Sequence, residues 1–320
     1  MTDGELISPL RKLNLIMRFS YTLPFFMASL CGVLFALSYD PELWLVVIIP
    51  LDVLFLAMFV NFSNDYFDHI SGVDKDRFED AYRYKALNES ELRNKIYWEG
   101  NQFDSGLVTK DQGKTIMASL VLIAIILSIP IILYGGLLVI GLGILALFLA
   151  YFYTAPPIEM GARGLGEINV GISFFMMVFF SFYVITGVFN MEIFVFSLVI
   201  GFGVGLMRVV DAMSGYESHL KHGEKDVAVR MGGLVEAIPV VKVFQIIFYI
   251  FVASMMLFNL TYVLLLLTLP LAKKAWTVMK DREEFWNVSL APLFFGIALI
   301  TELMFVVTLI VQTFVSFPIL

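Results

Sequence analysis

Nine apolar runs dominate this chain, and each is close to the length that crosses a bilayer. They fall at roughly 19–39, 43–62, 115–134, 137–155, 168–189, 191–210, 238–257, 259–272 and 289–312. A transmembrane helix needs about 20 mostly apolar residues, so the fold class is all-α: a polytopic membrane protein of about nine helices in one bundle, residues 1–320 forming a single transmembrane domain. The eighth run is short. Its boundary with the seventh, FNLTY at 258–262, is the weakest: a merger there leaves eight spans. Composition points the same way, with 15% charged residues and a mean hydropathy of +0.86, where a soluble domain carries about 25% charge.

Charge orients the bundle. Lys and Arg fall in the N-terminal tail (Arg11, Lys12, Arg18), between Lys75 and Lys114, at Arg163, between Arg208 and Lys242, and between Lys273 and Arg282. With nine spans all of these lie on one side. The opposite loops, SYDPE, YGG, FNME and FN, contain no Lys or Arg. By the positive-inside rule the N-terminus and long loops are cytoplasmic and the C-terminus is outside, in the cell membrane. The first apolar run lacks a small-residue cleavage site and is expected to be retained as a span. The single cysteine, Cys31, can form neither an internal disulfide nor a multi-cysteine zinc site. The net charge of −7 comes without a basic stripe, so no nucleic-acid partner is expected.

The two long cytoplasmic segments, 63–114 and 208–237, both open with acidic residues at the end of a span. The first begins NFSNDYFDHISGVDKD (61–76). Asn64 and Asp68 are four apart and share a helix face. Gly72 lets the chain turn and bring Asp74 back towards them. Hard oxygen donors in this number suit Mg²⁺, although acidic residues also end a span in solvent without any ligand. Further on, NESELRNKIYW (88–98) has the spacing of a short capped amphipathic helix, expected either as a lid over the mouth or at the membrane surface.

The second segment reads RVVDAMSGYESHLKHGEKDVAVRMG (208–232) and offers Asp211, Glu217 and Asp226. Asp211 lies at the membrane boundary, where an ionisable side chain is a functional candidate, with Arg208 as its alternative partner. His219 and His222, three apart, are expected to be loop residues. Two acidic sites on one side of a helical bundle fit a diphosphate held through Mg²⁺, which would ease ionisation of an allylic C–O bond. The 31 phenylalanines mostly serve packing and lipid contact, and aromatic faces also stabilise cations.

These residues resemble the UbiA superfamily of intramembrane prenyltransferases. NDYFD (64–68) followed by Asp74 is similar to its first Asn/Asp-rich motif. RFSYTLP (18–24) and SGLVT (105–109) are similar to two further stretches, and YTAPPIEMGARGLGE (153–167) is similar to the segment of the menaquinone-type branch, which prenylates dihydroxynaphthoate. The second acidic motif departs from that branch. Glu217, Gly223, Arg230 and Gly232 match it, but Gly215 and His219 stand where the branch has two aspartates. That leaves Asp211, Glu217 and Asp226 to supply carboxylates.

The resemblance implies Mg²⁺-dependent transfer of an isoprenyl group from a prenyl diphosphate donor to a lipophilic or aromatic acceptor within the bilayer. The acceptor implied is a quinone precursor, with geranylgeranylglyceryl phosphate in ether-lipid synthesis as the alternative. It puts Asn64, Asp68, Asp74, Asp211, Glu217 and Asp226 at metal, and Arg163, Lys221 and Lys225 at diphosphate. Asp68, Asp211 and Tyr153 would lie at the chemistry. A transporter is the competing class. Its best feature is Glu302, a carboxylate well inside a span, but no inverted repeat is evident.

Overall fold

The computed structural model describes residues 9–74, 76, 101–283 and 286–314. Residues 88–98, where a short amphipathic helix was expected, lie outside the described residues. Each expected apolar run is helical. A short helix α1 (Pro9–Met17) leads into α2 (Phe19–Phe35) and α3 (Leu43–Ser71). Then come α4 (Lys110–Gly135), α5 (Leu137–Tyr151), α6 (Gly166–Thr186) and α7 (Met191–Ser214). Two short helices follow, α8 (Tyr216–His222) and α9 (Val227–Met231), and then α10 (Leu234–Met255), α11 (Leu269–Asp281) and α12 (Trp286–Phe314).

Among the described residues eight helical segments are long and apolar enough to cross a membrane. The ninth apolar run is α5, whose 15 residues extend about 22 Å, short of a hydrocarbon core about 30 Å thick. The seventh and eighth runs do not merge. Helix α10 ends at Met255, and the side chain of Asn259 caps a 3-10 turn, Leu260–Thr268, that continues into α11. Asn259 interrupts the run because its side-chain oxygen accepts from the Thr261 amide at 3.0 Å, competing with the helix backbone as Asn commonly does at caps.

Small residues let the central helices approach. A Cβ on Gly201 of α7 would lie 2.6 Å from the Gly171 carbonyl of α6 and 3.2 Å from the Phe175 Cβ. Glycine contacts of this kind substitute for a hydrophobic drive between helices that lipid does not supply. Phe174, Phe182, Phe196 and Phe305 fill the adjoining core and are all essentially buried. A second cluster, with Phe59, Phe62, Tyr66, Phe103 and Leu120, ties the acidic end of α3 to the 101–109 turn and to α4. Thr109 closes that turn with a capping box to Gln112, the reciprocal pair that starts a helix firmly.

Candidate active site

A cavity of about 1150 Å³ runs between α2, α3, α4, α5, α6, α7 and α12. Its floor is apolar, with Ile49, Ile131, Val139 and Val184, and its mouth carries Asn64, Asp68, Asp74, Asp211 and Glu224. One wall of the mouth is the end of α3. Gly72 adopts φ +81 and accepts the helix end, a left-handed position that favours glycine. The chain therefore turns there, and Asp74 joins Asp68 at the mouth. The Asn64 side-chain amide donates to the Asp68 carboxylate. Asn101 donates to Asp74 Oδ2 at 2.9 Å and to the Asp65 carbonyl at 2.6 Å, clamping the turn. Asp65 points away from this group and pairs with Arg18 at 3.0 Å.

The opposite wall is built by α7 and the α8–α9 segment. Arg208 donates from Nε to the Tyr153 hydroxyl at 2.5 Å, and its Nη1 lies 3.6 Å from Asp211 Oδ2. Among the described residues the buried Nη1 has no hydrogen-bond partner. Such a donor calls for an acceptor, since a buried polar group without one is costly. Glu224 follows Gly223 (φ +73), so the chain turns there too and the Glu224 carboxylate reaches the cavity. His219 is buried with Nδ1 2.7 Å from Asp226 Oδ2 and Nε2 3.7 Å from Glu224 Oε2. Ser218 donates to the Val73 carbonyl at 2.8 Å, which joins the two walls directly.

The predicted site residues divide between the cavity and its surroundings. Asn64, Asp68, Asp74, Tyr153 and Asp211 line it. Glu217 is exposed on the far side of α8. Asp226 is buried away from the cavity, where it caps α9 through the Ala228 and Val229 amides at 2.8 and 3.1 Å. Burial raises its carboxyl pKa, but the His219 side chain and the Val229 amide outweigh that and hold it below the usual carboxylate range. Arg163 is exposed, donates to the Pro157 carbonyl at 2.7 Å and lies 3.6 Å from Glu159. Lys221 pairs with Asp76 at 2.6 Å. Lys225 is exposed, with its backbone amide on the Ala162 carbonyl at 2.7 Å.

Arg208, His219 and Glu224 line the cavity although the sequence reasoning gave them no site role. The i, i+3 spacing of Arg208 and Asp211 was the legible signal for the first. His219, expected in a loop, instead lies buried on α8, and nothing local marked Glu224, whose placement depends on the Gly223 turn.

Five oxygen-bearing side chains thus line one mouth, and Asp68 lies within electrostatic reach of Asp74, Asp65, Glu224 and Arg208. Carboxylates crowded this way favour a cation between them. Amide and carboxylate oxygens are the donors that Mg²⁺ takes. Among the described residues, no three His, Cys, Asp or Glu side chains lie close enough together to hold a metal ion by themselves. An open set is what Mg²⁺ needs when phosphate and water complete its shell.

Fold and cavity together define a membrane-embedded helical bundle with a deep apolar pocket and an acidic mouth. Sequence comparison then assigns the family: the model of the UbiA prenyltransferase family matches residues 25–300. The chain belongs to the UbiA prenyltransferase family. No curated protein matches it significantly. Among solved structures it is similar to a UbiA homolog from Archaeoglobus fulgidus bound to GPP and Mg²⁺, at 16% identity and a TM-score of 0.65, covering 95% of this chain and 100% of that one. It is also similar to a digeranylgeranylglyceryl phosphate synthase, at 14% identity and a TM-score of 0.62, covering 94% and 98%. At these identities the likeness is one of fold.

Proposed function

We propose that the protein transfers an isoprenyl group from a prenyl diphosphate, with Mg²⁺, to a lipophilic aromatic acceptor of the dihydroxynaphthoate type. The observation that carries this reading is the pairing of an acidic mouth with a deep apolar cavity in one bundle. A prenyl diphosphate has that polarity, with an anionic head and a long apolar tail. The A. fulgidus homolog, with GPP and Mg²⁺ bound, supports the donor and the ion.

In this reading Asn64, Asp68 and Asp74 hold Mg²⁺ from one wall, and Asp211 and Glu224 face it from the other. Bound there, Mg²⁺ neutralises the diphosphate and makes it a better leaving group. Arg208 supplies a fixed guanidinium to the diphosphate oxygens as their charge grows, and Nη1 has the hydrogen-bonding capacity to spare. Tyr153 holds Arg208 in place through its hydroxyl, with the guanidinium 6.0 Å from the centre of its ring. The apolar wall below excludes water from that carbon. Glu217 and Asp226, away from the cavity, support the α8–α9 segment; Arg163, Lys221 and Lys225 serve as surface cations at the mouth's rim.

The acceptor class follows from charge. Among the described residues the cavity wall carries one guanidinium and no lysine, a set better matched to an acceptor with one carboxylate or none than to a phosphate monoester. The concentration of Lys and Arg at this end supports a cytoplasmic mouth by the positive-inside rule.

The test is binding of radiolabelled geranylgeranyl and farnesyl diphosphate to purified protein, with Mg²⁺ and with EDTA. Mg²⁺-dependent binding that Asp68→Ala abolishes is the expected result. Equal binding by wild type and Asp68→Ala, or binding indifferent to EDTA, refutes the site.

A further inference from the structure

One ionisable side chain on the cavity wall has no part in the chemistry at the mouth. Asp52 sits on α3 deep in the bundle, lines the cavity and accepts a hydrogen bond from Ser128 of α4 at 2.9 Å. Its neighbours on the wall are Ile49, Val53, Leu56, Ile125 and Ile131. A carboxyl in such surroundings is costly to keep inside a membrane protein and commonly marks function. Beyond it the cavity is lined by Ile49 of α3 and by the apolar floor residues Ile131, Val139 and Val184.

Its depth can be measured along the helix. Asp52 and Asp68 are sixteen residues apart on α3, which is about 24 Å of axial rise. The two residues border the cavity-facing stripe of α3 on opposite edges, so the path between them follows the groove rather than a straight line. An isoprene unit adds four chain carbons, roughly 5 Å when extended at single-bond lengths near 1.5 Å. After allowance for the head group at Asp68, about four units fit before the tail reaches the Asp52–Ser128 pair.

We infer that the Asp52–Ser128 pair is a polar stop that sets the length of prenyl tail the cavity accepts, at about four isoprene units. A fifth unit must lie against a hydrogen-bonded carboxyl instead of an apolar wall. It forfeits the gain that burial of each earlier unit brings, because desolvating the carboxyl offsets it. The pair therefore acts on specificity and touches no reacting atom. The inference rests on the proposed donor site, and the experiment separates the two.

Equilibrium binding of the geranyl, farnesyl, geranylgeranyl and geranylfarnesyl diphosphates, two to five units long, is measured in detergent with Mg²⁺. Wild type is compared with Asp52→Leu, which keeps the branched skeleton, adds bulk and removes the polarity, with Asp52→Asn, which keeps both volume and polarity, and with Ser128→Ala. For wild type, affinity rises with each unit up to four and then stalls or falls at five. In Asp52→Leu the five-unit donor gains at least about tenfold relative to the four-unit donor, a part of the more than hundredfold that full burial of an added five-carbon unit would give. Asp52→Asn keeps the wild-type break, and Ser128→Ala shifts it partway.

A wild-type series without a break at four units overturns the stop, as does a break that Asp52→Leu leaves unmoved. In either case Mg²⁺-dependent binding of the shorter donors leaves the donor site standing. No Mg²⁺-dependent binding of any donor overturns both. Leu is favourable in a membrane span, and an unchanged melting temperature for Asp52→Leu confirms that the variant is folded.

Discussion

Arg208 is the sharpest test of the site because its structural and functional contributions differ in size. Its guanidinium spends Nε on Tyr153 and, among the described residues, leaves the buried Nη1 without a hydrogen-bond partner. The Asp211 carboxylate, 3.6 Å away, is 42% exposed, so that ion pair contributes at most about 1 kcal/mol. The Tyr153 bond adds about 1 kcal/mol more. Arg208→Gln should therefore lower stability by roughly 1–2 kcal/mol. A charged hydrogen bond from Nη1 to a diphosphate oxygen is worth about 1.5–3 kcal/mol, so donor affinity should fall by about ten- to a hundredfold. Calorimetric titration of geranylgeranyl diphosphate at fixed Mg²⁺, beside thermal unfolding of the same samples, measures both. An affinity within about twofold of wild type, with the protein folded, would refute the assignment and leave Arg208 as a brace for Tyr153 alone.

Four further outcomes follow from the same geometry. Tyr153→Phe should keep the fold but weaken donor binding less than Arg208→Gln, by about tenfold or less, because the guanidinium remains and only its support is lost; the same titration decides. Gly201→Ala forces a Cβ to within 2.6 Å of the Gly171 carbonyl and should destabilise the α6–α7 pair by about 1–3 kcal/mol, read as a lower melting temperature in detergent. Asp226 has a depressed carboxyl pKa, so its contribution is fully present above an unfolded value of about 3.9 and is lost as pH falls through the lower folded value. The stability gap between wild type and Asp226→Ala should be about 1 kcal/mol at pH 7 and should close under strong acid. Ser218→Ala removes the direct bond between the two walls of the mouth and should speed hydrogen exchange at the turn after α3 while leaving the core protected.

The bundle was legible because lipid imposes a simple rule. Runs of about 20 apolar residues must be helices, and each expected run is one. The α3 half of the mouth was legible for a similar reason, since Asn64 and Asp68 share a face by helical period and Gly72 marks the turn that carries Asp74. The opposite half obeyed no period. Between Ser214 and Val227 the chain folds through Gly215 and Gly223, and each turn resets which side chains face the cavity. Glu217 therefore turns outward and Glu224 inward. Asp226 lies next to a helix start, and an aspartate two or three residues before free backbone amides is taken up as a cap. A local rule thus claimed the carboxylate that motif reasoning assigned to metal.

The sign of the mouth then constrains how it can work. Asp68, Asp74, Asp211 and Glu224 face the cavity, and among the described residues Arg208 is the single guanidinium on its wall. A diphosphate is itself anionic, so an uncompensated acidic mouth would repel the donor rather than bind it. The wall can accept a diphosphate only when cations have first entered between the carboxylates, which makes donor binding steeply dependent on the divalent ion. The two walls contribute unequally to that step. The α3 wall presents an amide and two carboxylates with no cation among them, whereas the other wall already pairs Asp211 with Arg208 and sets Glu224 against His219. The first ion should therefore belong to Asn64, Asp68 and Asp74, and the opposite wall meets the diphosphate through Arg208.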